Sequence, residues 1–327
     1  MSNPRRLTIV IVTALVPAAL LACGSGEPRP TNTTSAGATP AVAATAVAAP
    51  ESIAPAPSVA IAYEDAEKVF RSGDYAEAAA LFSSYTERRP ENVWGHYMLG
   101  LSSWKAGNLA QAATAFNRAL EIDSTHLKSL INSSRVYLEL NETEQALDRT
   151  RRALEIDPGS ADALRLRARA LHNAGELESA IESYRAALVI DEDDVWSMNN
   201  LGLIYIELGR TADAIPPLAR AVELRPAAPV FQNNLGIALE QAGHYTSART
   251  AFEAALAADS SYAKAAVNRD RVIPLAEKSG AYSIDLGEYA EQFEMQIRLW
   301  KSAVTTQPAD SVVDVERDTV PEGEPRE

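Results

Sequence analysis

Two carboxamide pairs, Asn199-Asn200 and Asn233-Asn234, stand 34 residues apart, each followed by Leu-Gly and, seven residues further on, by another Gly. Asparagine is a mediocre helix former, because its side chain competes for backbone hydrogen bonds. Yet both stretches, "WSMNNLGLIYIELG" and "VFQNNLGIALEQAG", otherwise read as amphipathic helices. A carboxamide accepts one hydrogen bond while donating another, which is the chemistry for gripping a polypeptide main chain whatever its side chains. Other groups with reactive potential are scattered. His96, His126, His172 and His244 show no metal-ligand spacing. The lone Cys23 excludes an intramolecular disulfide and a multi-cysteine metal site. The Gly-Ser-Gly run beside it lacks the strand–turn–helix setting of a nucleophile elbow. No glycine loop of the phosphate-binding kind precedes a helix. No enzyme activity, cofactor or metal is expected.

The 327-residue chain is 46% apolar, but alanine supplies much of that and aromatics only 6%. Such interiors suit helices packed at close range. A net charge of −14, without any Lys/Arg block, argues against nucleic acid as a partner.

The elements that carry the asparagines repeat. Aligning Gly202 with Gly236 and stepping back by 34 reaches Ala168, Ser134, Gly100 and Ala66, all small. Twelve residues later alanine stands in every copy: Ala78, Ala112, Ala146, Ala180, Ala214 and Ala248. A further small position gives Ala119, Ala153, Ala187, Ala221 and Ala255, with Tyr85 the exception. Between the two lies a bulky residue in most copies (Phe82, Phe116, Tyr184, Leu218, Phe252), with Thr150 departing. Gly73, Gly107, Asn141, Gly175, Gly209 and Gly243 mark a recurring turn, each able to take the left-handed conformation that ends a helix. In each copy the apolar or small residues fall on one face of a first helix, then on one face of a second. A single such hairpin cannot cover its apolar face, so stacked hairpins must share a core.

These landmarks closely resemble the tetratricopeptide repeat, six copies in register over 59–262. The resemblance implies an all-α, right-handed superhelical solenoid of six helix hairpins whose first helices line a concave groove. Residues 263–303 continue as C-terminal capping helices: "YAKAAVNRDRV" keeps the register of a seventh first helix, and a further helix follows from about Asp285 to Ala303. Its stripe of Leu286, Tyr289, Phe293, Ile297 and Trp300 reads as a covering surface. Pro216-Pro217, early in the second helix of the fifth copy, should kink it.

In such a groove, Asn132, Asn200, Asn234 and Asn268 share one angular position, interrupted by Leu166, with Asn199 and Asn233 beside them. The arrangement is similar to the asparagine ladder in the repeat region of O-linked N-acetylglucosamine transferases, which implies capture of an extended peptide by its main chain. The same amides could instead bond neighbouring helices. The Lys/Asn pattern of carboxylate-clamp repeats is absent. Tyr63, Phe70, Trp94, Tyr97, Met98, Leu101 and Trp104 fall on groove positions of the first two copies and form a candidate partner surface. Lys128, Arg135, Arg165 and Arg169 make a basic stretch in an acidic protein, with Asp162 and Glu139 nearby.

The ends read differently. "MSNPRR" and the apolar "LTIVIVTALVPAALLA" form a signal peptide over 1–22, ending in Leu-Leu-Ala-Cys, which resembles a bacterial lipobox with Cys23 as the acylated residue. Gly24 after it leans towards the outer membrane, so the expected location is the bacterial envelope, on the periplasmic face of that membrane. Residues 23–58, rich in Ala, Pro and Thr, form a disordered tether, averaging about 30 Å end to end as a coil. Residues 304–327, with seven acidic and two basic side chains, form an acidic disordered tail that could enter the basic groove. The whole reads as a membrane-anchored, non-enzymatic scaffold that binds a protein or peptide partner. A structural part of an envelope machine, like the pilotins of pilus secretins, is the alternative.

Overall fold

The computed structural model describes residues 62–280 and 282–306, the side chains of 305 and 306 excepted. The segments assigned to a signal peptide, a tether and most of an acidic tail lie outside them. Among the described residues there are fourteen α-helices and no strand. Six hairpins come first: α1 (Tyr63–Ser72) with α2 (Tyr75–Arg88), α3 (Val93–Lys105) with α4 (Leu109–Ile122), and α5 (Leu127–Glu139) with α6 (Thr143–Ile156). Then follow α7 (Ala161–Asn173) with α8 (Leu177–Ile190), α9 (Val195–Glu207) with α10 (Thr211–Leu224), and α11 (Pro229–Gln241) with α12 (Tyr245–Ala258). Two helices close the chain, α13 (Ala263–Ser279) and α14 (Leu286–Thr306).

The turn inside each hairpin has one cause. One or two places after the first helix a residue takes positive φ in every copy, between 60° at Asn141 and 90° at Gly73, so the chain reverses within a few residues. Side-chain caps start several helices: Asp74, Asn92, Asn108, Ser160 and Asp194 each accept a backbone N–H. Within a hairpin the repeated alanines are fully buried and Phe82, Phe116, Tyr184, Leu218 and Phe252 fill the space between the helices. The small residue opposite them is obligatory where the approach is closest. A Cβ on Gly202 would sit 2.4 Å from Leu218, and one on Gly236 2.5 Å from the Phe252 ring.

Successive first helices touch one another: α3 meets α5, α5 meets α7, α7 meets α9, α9 meets α11 and α11 meets α13. Second helices of neighbouring hairpins make no comparable contacts. The stack therefore curves towards its first helices, which form the inner face.

The two C-terminal helices both cover apolar surface, but at different places. α13 packs on α12 and closes the last hairpin. Its exposed residues include Lys264, Asp270 and Arg271, the last bonded to Glu240 of α11, together with Val267. α14 does not continue from there; it turns back across the outer side of the stack, packing on α10 and on α8. Phe293, Ala290 and Ile297 are buried in that contact. The physical reason lies in α10, whose outer side is apolar: Ile215, Pro216, Pro217 and Ala219 are all buried. The equivalent places hold Leu147, Asp148, Arg149 and Arg151 in the third copy, and Arg249, Thr250, Ala251 and Glu253 in the sixth. The proline pair does not break α10, which runs uninterrupted for 14 residues. The backbone bonds it forfeits are outweighed by packing on two sides, from α9 within and α14 without.

Candidate functional site

The inner face has a simple register. Neighbouring first helices run side by side, displaced so that a residue meets the one 35 places away, not 34. Asn132 Nδ2 donates to the Tyr97 hydroxyl at 3.2 Å, Asn234 Nδ2 to Asn199 Oδ1 at 2.8 Å, and Asn268 Nδ2 to Asn233 Oδ1 at 2.9 Å. Further along the same helices Trp104 Nε1 donates to Glu139 at 3.0 Å and His172 Nε2 lies 2.8 Å from Glu207, at the same offset.

This register answers the question raised by the asparagine pairs. Asn233 Nδ2 donates to Asn234 Oδ1 at 3.4 Å, and Asn199 Nδ2 to Asn200 Oδ1 at 3.2 Å. The five amides thus form one directional chain, Asn268 to Asn233 to Asn234 to Asn199 to Asn200. Asn199, Asn233 and Asn234 are buried, as is Asn132, whose Oδ1 accepts from Arg135 at 2.9 Å. Asn132, Asn199, Asn233 and Asn234 each donate one of these bonds and accept another, within a helix or to its neighbour, so they tie the first helices to one another. Only the ends of the chain, Asn200 and Asn268, are half-exposed. The interruption at Leu166 follows the same register, since the residue 35 places before it is Ile131, and the two pack together in one apolar cluster.

What the inner face does offer is a cleft of about 350 Å³ built by four first helices. α3 supplies Trp104, α5 supplies Arg135 and Glu139, α7 supplies Arg165, Leu166 and Arg169, and α9 supplies Trp196 and Asn200. The lining carries three guanidinium groups and one carboxylate. Asp162 bridges Arg135, at 3.0 Å, and Arg165, which also pairs with Asp194 at 3.1 Å. Arg169 is exposed, with no carboxylate in ion-pair range among the described residues. At the cleft the Tyr184 hydroxyl is fully buried and makes no hydrogen bond of ordinary geometry; Asn200, Arg169, Arg165 and Asp194 are its polar neighbours. Burial pushes its pKa well above the usual phenol range, against the easing effect of Asn200 and the two arginines. Trp196 is 46% exposed and stands edge-on to Phe231 at 5.1 Å.

The aromatic cluster of the first copies divides in two. Tyr63 turns into its own hairpin, against Phe82 and Tyr85 at 5.4 and 5.7 Å, so it is a packing residue. Tyr97 and Met98 are buried as well. Burial raises the Tyr97 pKa, with Arg135 and the Asn132 hydrogen bond opposing. Trp94 remains exposed, flanked by His126 at 4.8 Å and with Lys128 over its ring at 5.2 Å. Partial burial lowers the His126 pKa, against the opposing effect of Asp123. Trp104 lines the cleft, its indole N–H held by Glu139 and its ring beneath Lys105. Cys23 lies outside the described residues. Among those described, no group of three or more His, Cys, Asp or Glu could hold a metal ion, and no helix is long and apolar enough to cross a membrane.

Comparison with known families identifies the class. Two tetratricopeptide-repeat profiles match, one over 63–126 and 199–263 and one over 103–170. A third, described as TPR repeat, matches 168–209, so that together they span 63–263. The chain is a tetratricopeptide repeat protein, an all-α solenoid of a family of protein-interaction scaffolds. Similar solved structures include TTC0263, a thermophilic TPR protein of Thermus thermophilus, at 20% identity over 56% of this chain and 100% of that one, with a TM-score of 0.48. YrrB, titled a TPR protein with an unusual peptide-binding site, is 18% identical over 59% of this chain and 99% of its own, with a TM-score of 0.46. MamA from Desulfovibrio magneticus RS-1 is 20% identical over 50% and 92%, with a TM-score of 0.47. No curated protein matches.

Proposed function

We propose that the protein is a non-enzymatic scaffold of a bacterial envelope, held on the periplasmic face of the outer membrane by acylated Cys23, and that its inner cleft binds an extended segment of a partner protein. The observation that supports the binding reading is the cleft between Trp104 and Trp196. It presents two indoles, one of them 46% exposed, and three guanidinium groups on the inner face of a repeat stack. Aromatic and arginine side chains in a concavity are the usual carriers of binding energy. The asparagines contribute indirectly, by holding α9, α11 and α13 in register.

Two measurements test the two halves. With the partner recovered from crosslinked envelopes and its segment titrated calorimetrically, Trp196→Ala should weaken binding by about 2 kcal/mol. An unchanged affinity with the helical content intact overturns the cleft as the site. Cys23→Ser should move the protein from the membrane pellet to the soluble fraction, and unchanged sedimentation overturns the anchor.

A further inference from the structure

The course of α14 has a consequence at its far end. Lys301, near the end of that helix, is fastened to Glu192 at 2.6 Å. Glu192 belongs to the loop between α8 and α9, and two residues along that loop stands Asp194, the ion-pair partner of cleft residue Arg165. The helix that covers α10 is therefore fastened, near its end, to the loop at the rim of the cleft. Residues 307–327, drawn out, reach roughly 70 Å, far more than that rim requires.

The chemistry on the two sides is complementary. Within "DSVVDVERD", Asp314, Glu316 and Asp318 alternate with Val313, Val315 and Arg317. In an extended segment alternate residues share a side, so the three carboxylates would stand together on one side, the valines on the other. The cleft lining holds Arg135, Arg165 and Arg169, of which Arg169 has no carboxylate partner among the described residues. Trp196 offers apolar surface beside them.

We propose that the occupant of this cleft, in the absence of another protein, is the chain's own segment Asp314–Asp318, laid extended across Arg169 with its carboxylates towards the arginines. Attachment through α14 keeps the segment at an effective concentration near millimolar, so a weak attraction suffices to keep it resident. Any external segment must displace it, and displacement becomes easier as salt rises. The inference does not depend on an external partner using the cleft.

The test uses the full chain with Trp94→Phe and Trp300→Phe, so that fluorescence reports Trp104 and Trp196 alone. At low salt, acrylamide should quench this protein about twofold less than the same chain ended at 306, the difference expected of a tethered cover. Asp314→Lys, Glu316→Lys and Asp318→Lys together, a change confined to the tail, should raise quenching to that of the shortened chain. Arg169→Glu should do the same, and joining it to the three lysines should restore part of the protection. At about 1 M salt, where the Debye length is near 3 Å, all forms should converge. Equal quenching of full and shortened chains at low salt overturns the proposal. So does protection that survives the three lysines, which assigns the cover to another segment, or protection that grows with protein concentration, which assigns it to a second copy.

Discussion

Phe293→Ala should cost about 3–5 kcal/mol, as for other fully buried aromatic side chains cut to alanine. The loss falls on one contact, because in a repeat stack each element is stabilised chiefly by its immediate neighbours. Phe293 sits against Trp300 at 5.8 Å and, with Ala290 and Ile297, covers the outer side of α10. Beyond those apolar contacts, the polar ties of α14 include the part-exposed pair of Lys301 with Glu192 and Arg185 over the Trp300 ring. Exposed pairs of that kind contribute little, roughly 0–1 kcal/mol each. Phe293→Ala should therefore release α14 before any hairpin opens. In hydrogen exchange the amides of α14 should lose protection, while those of α3 to α9 keep theirs. Uncovering Ile215, Pro216, Pro217 and Ala219 should also increase binding of a hydrophobic dye. Uniform loss of protection along the whole stack would show that α14 is a keystone and not a local cover; unchanged protection would show that the Phe293 contact contributes little.

The hairpins were legible because their physics is local. Small residues at fixed intervals, such as Gly202 against Leu218 and Gly236 against Phe252, and a left-handed residue at each turn fix the hairpin within 34 residues. The path of α14 was harder to read, because its target lies some 75 residues earlier and outside the repeat register. A signal was present nonetheless: Ala214, Ile215, Pro216, Pro217, Leu218 and Ala219 form an unbroken apolar run. A second helix buried on one side alone has no use for it. The bonds that the asparagines make between helices were hidden for a related reason. Counting by the repeat length compares equivalent positions, whereas contacts between first helices follow the 35-residue offset. Compared at that offset, the partners match in kind: Tyr97 with Asn132, Ile131 with Leu166, Asn199 with Asn234 and Asn233 with Asn268. The cleft's arginines were legible as residues, but their unequal pairing, with Arg169 left over, depends on side-chain directions that composition does not carry.

That matching predicts what exchanging one kind of pair for the other will do. Asn234→Leu removes the donor to Asn199 Oδ1 and the acceptor of Asn233 Nδ2, in a place where both remaining amides are buried. Leaving a buried polar group without its partner costs about 1–3 kcal/mol, so the single replacement should destabilise by roughly that amount or somewhat more. Asn199→Ile alone strands Asn234 in the same way. Made together, the two recreate between α9 and α11 the Ile131–Leu166 pair that already joins α5 and α7. Replacing both polar partners by fitting apolar groups is nearly neutral. The only new orphans are Asn200 Oδ1, which is half-exposed and can bond water, and the long 3.4 Å bond from Asn233. The double variant should therefore lie within about 1 kcal/mol of the parent, and the coupling between the two replacements should reach about 2 kcal/mol in the favourable sense. Urea unfolding of the four proteins measures it. Additive losses would mean that the amide chain does not act as a set of matched pairs, and that the asparagines are free to serve a ligand after all. A coupling of the expected size assigns them to the register of the stack and leaves ligand recognition to the indoles and guanidinium groups of the cleft.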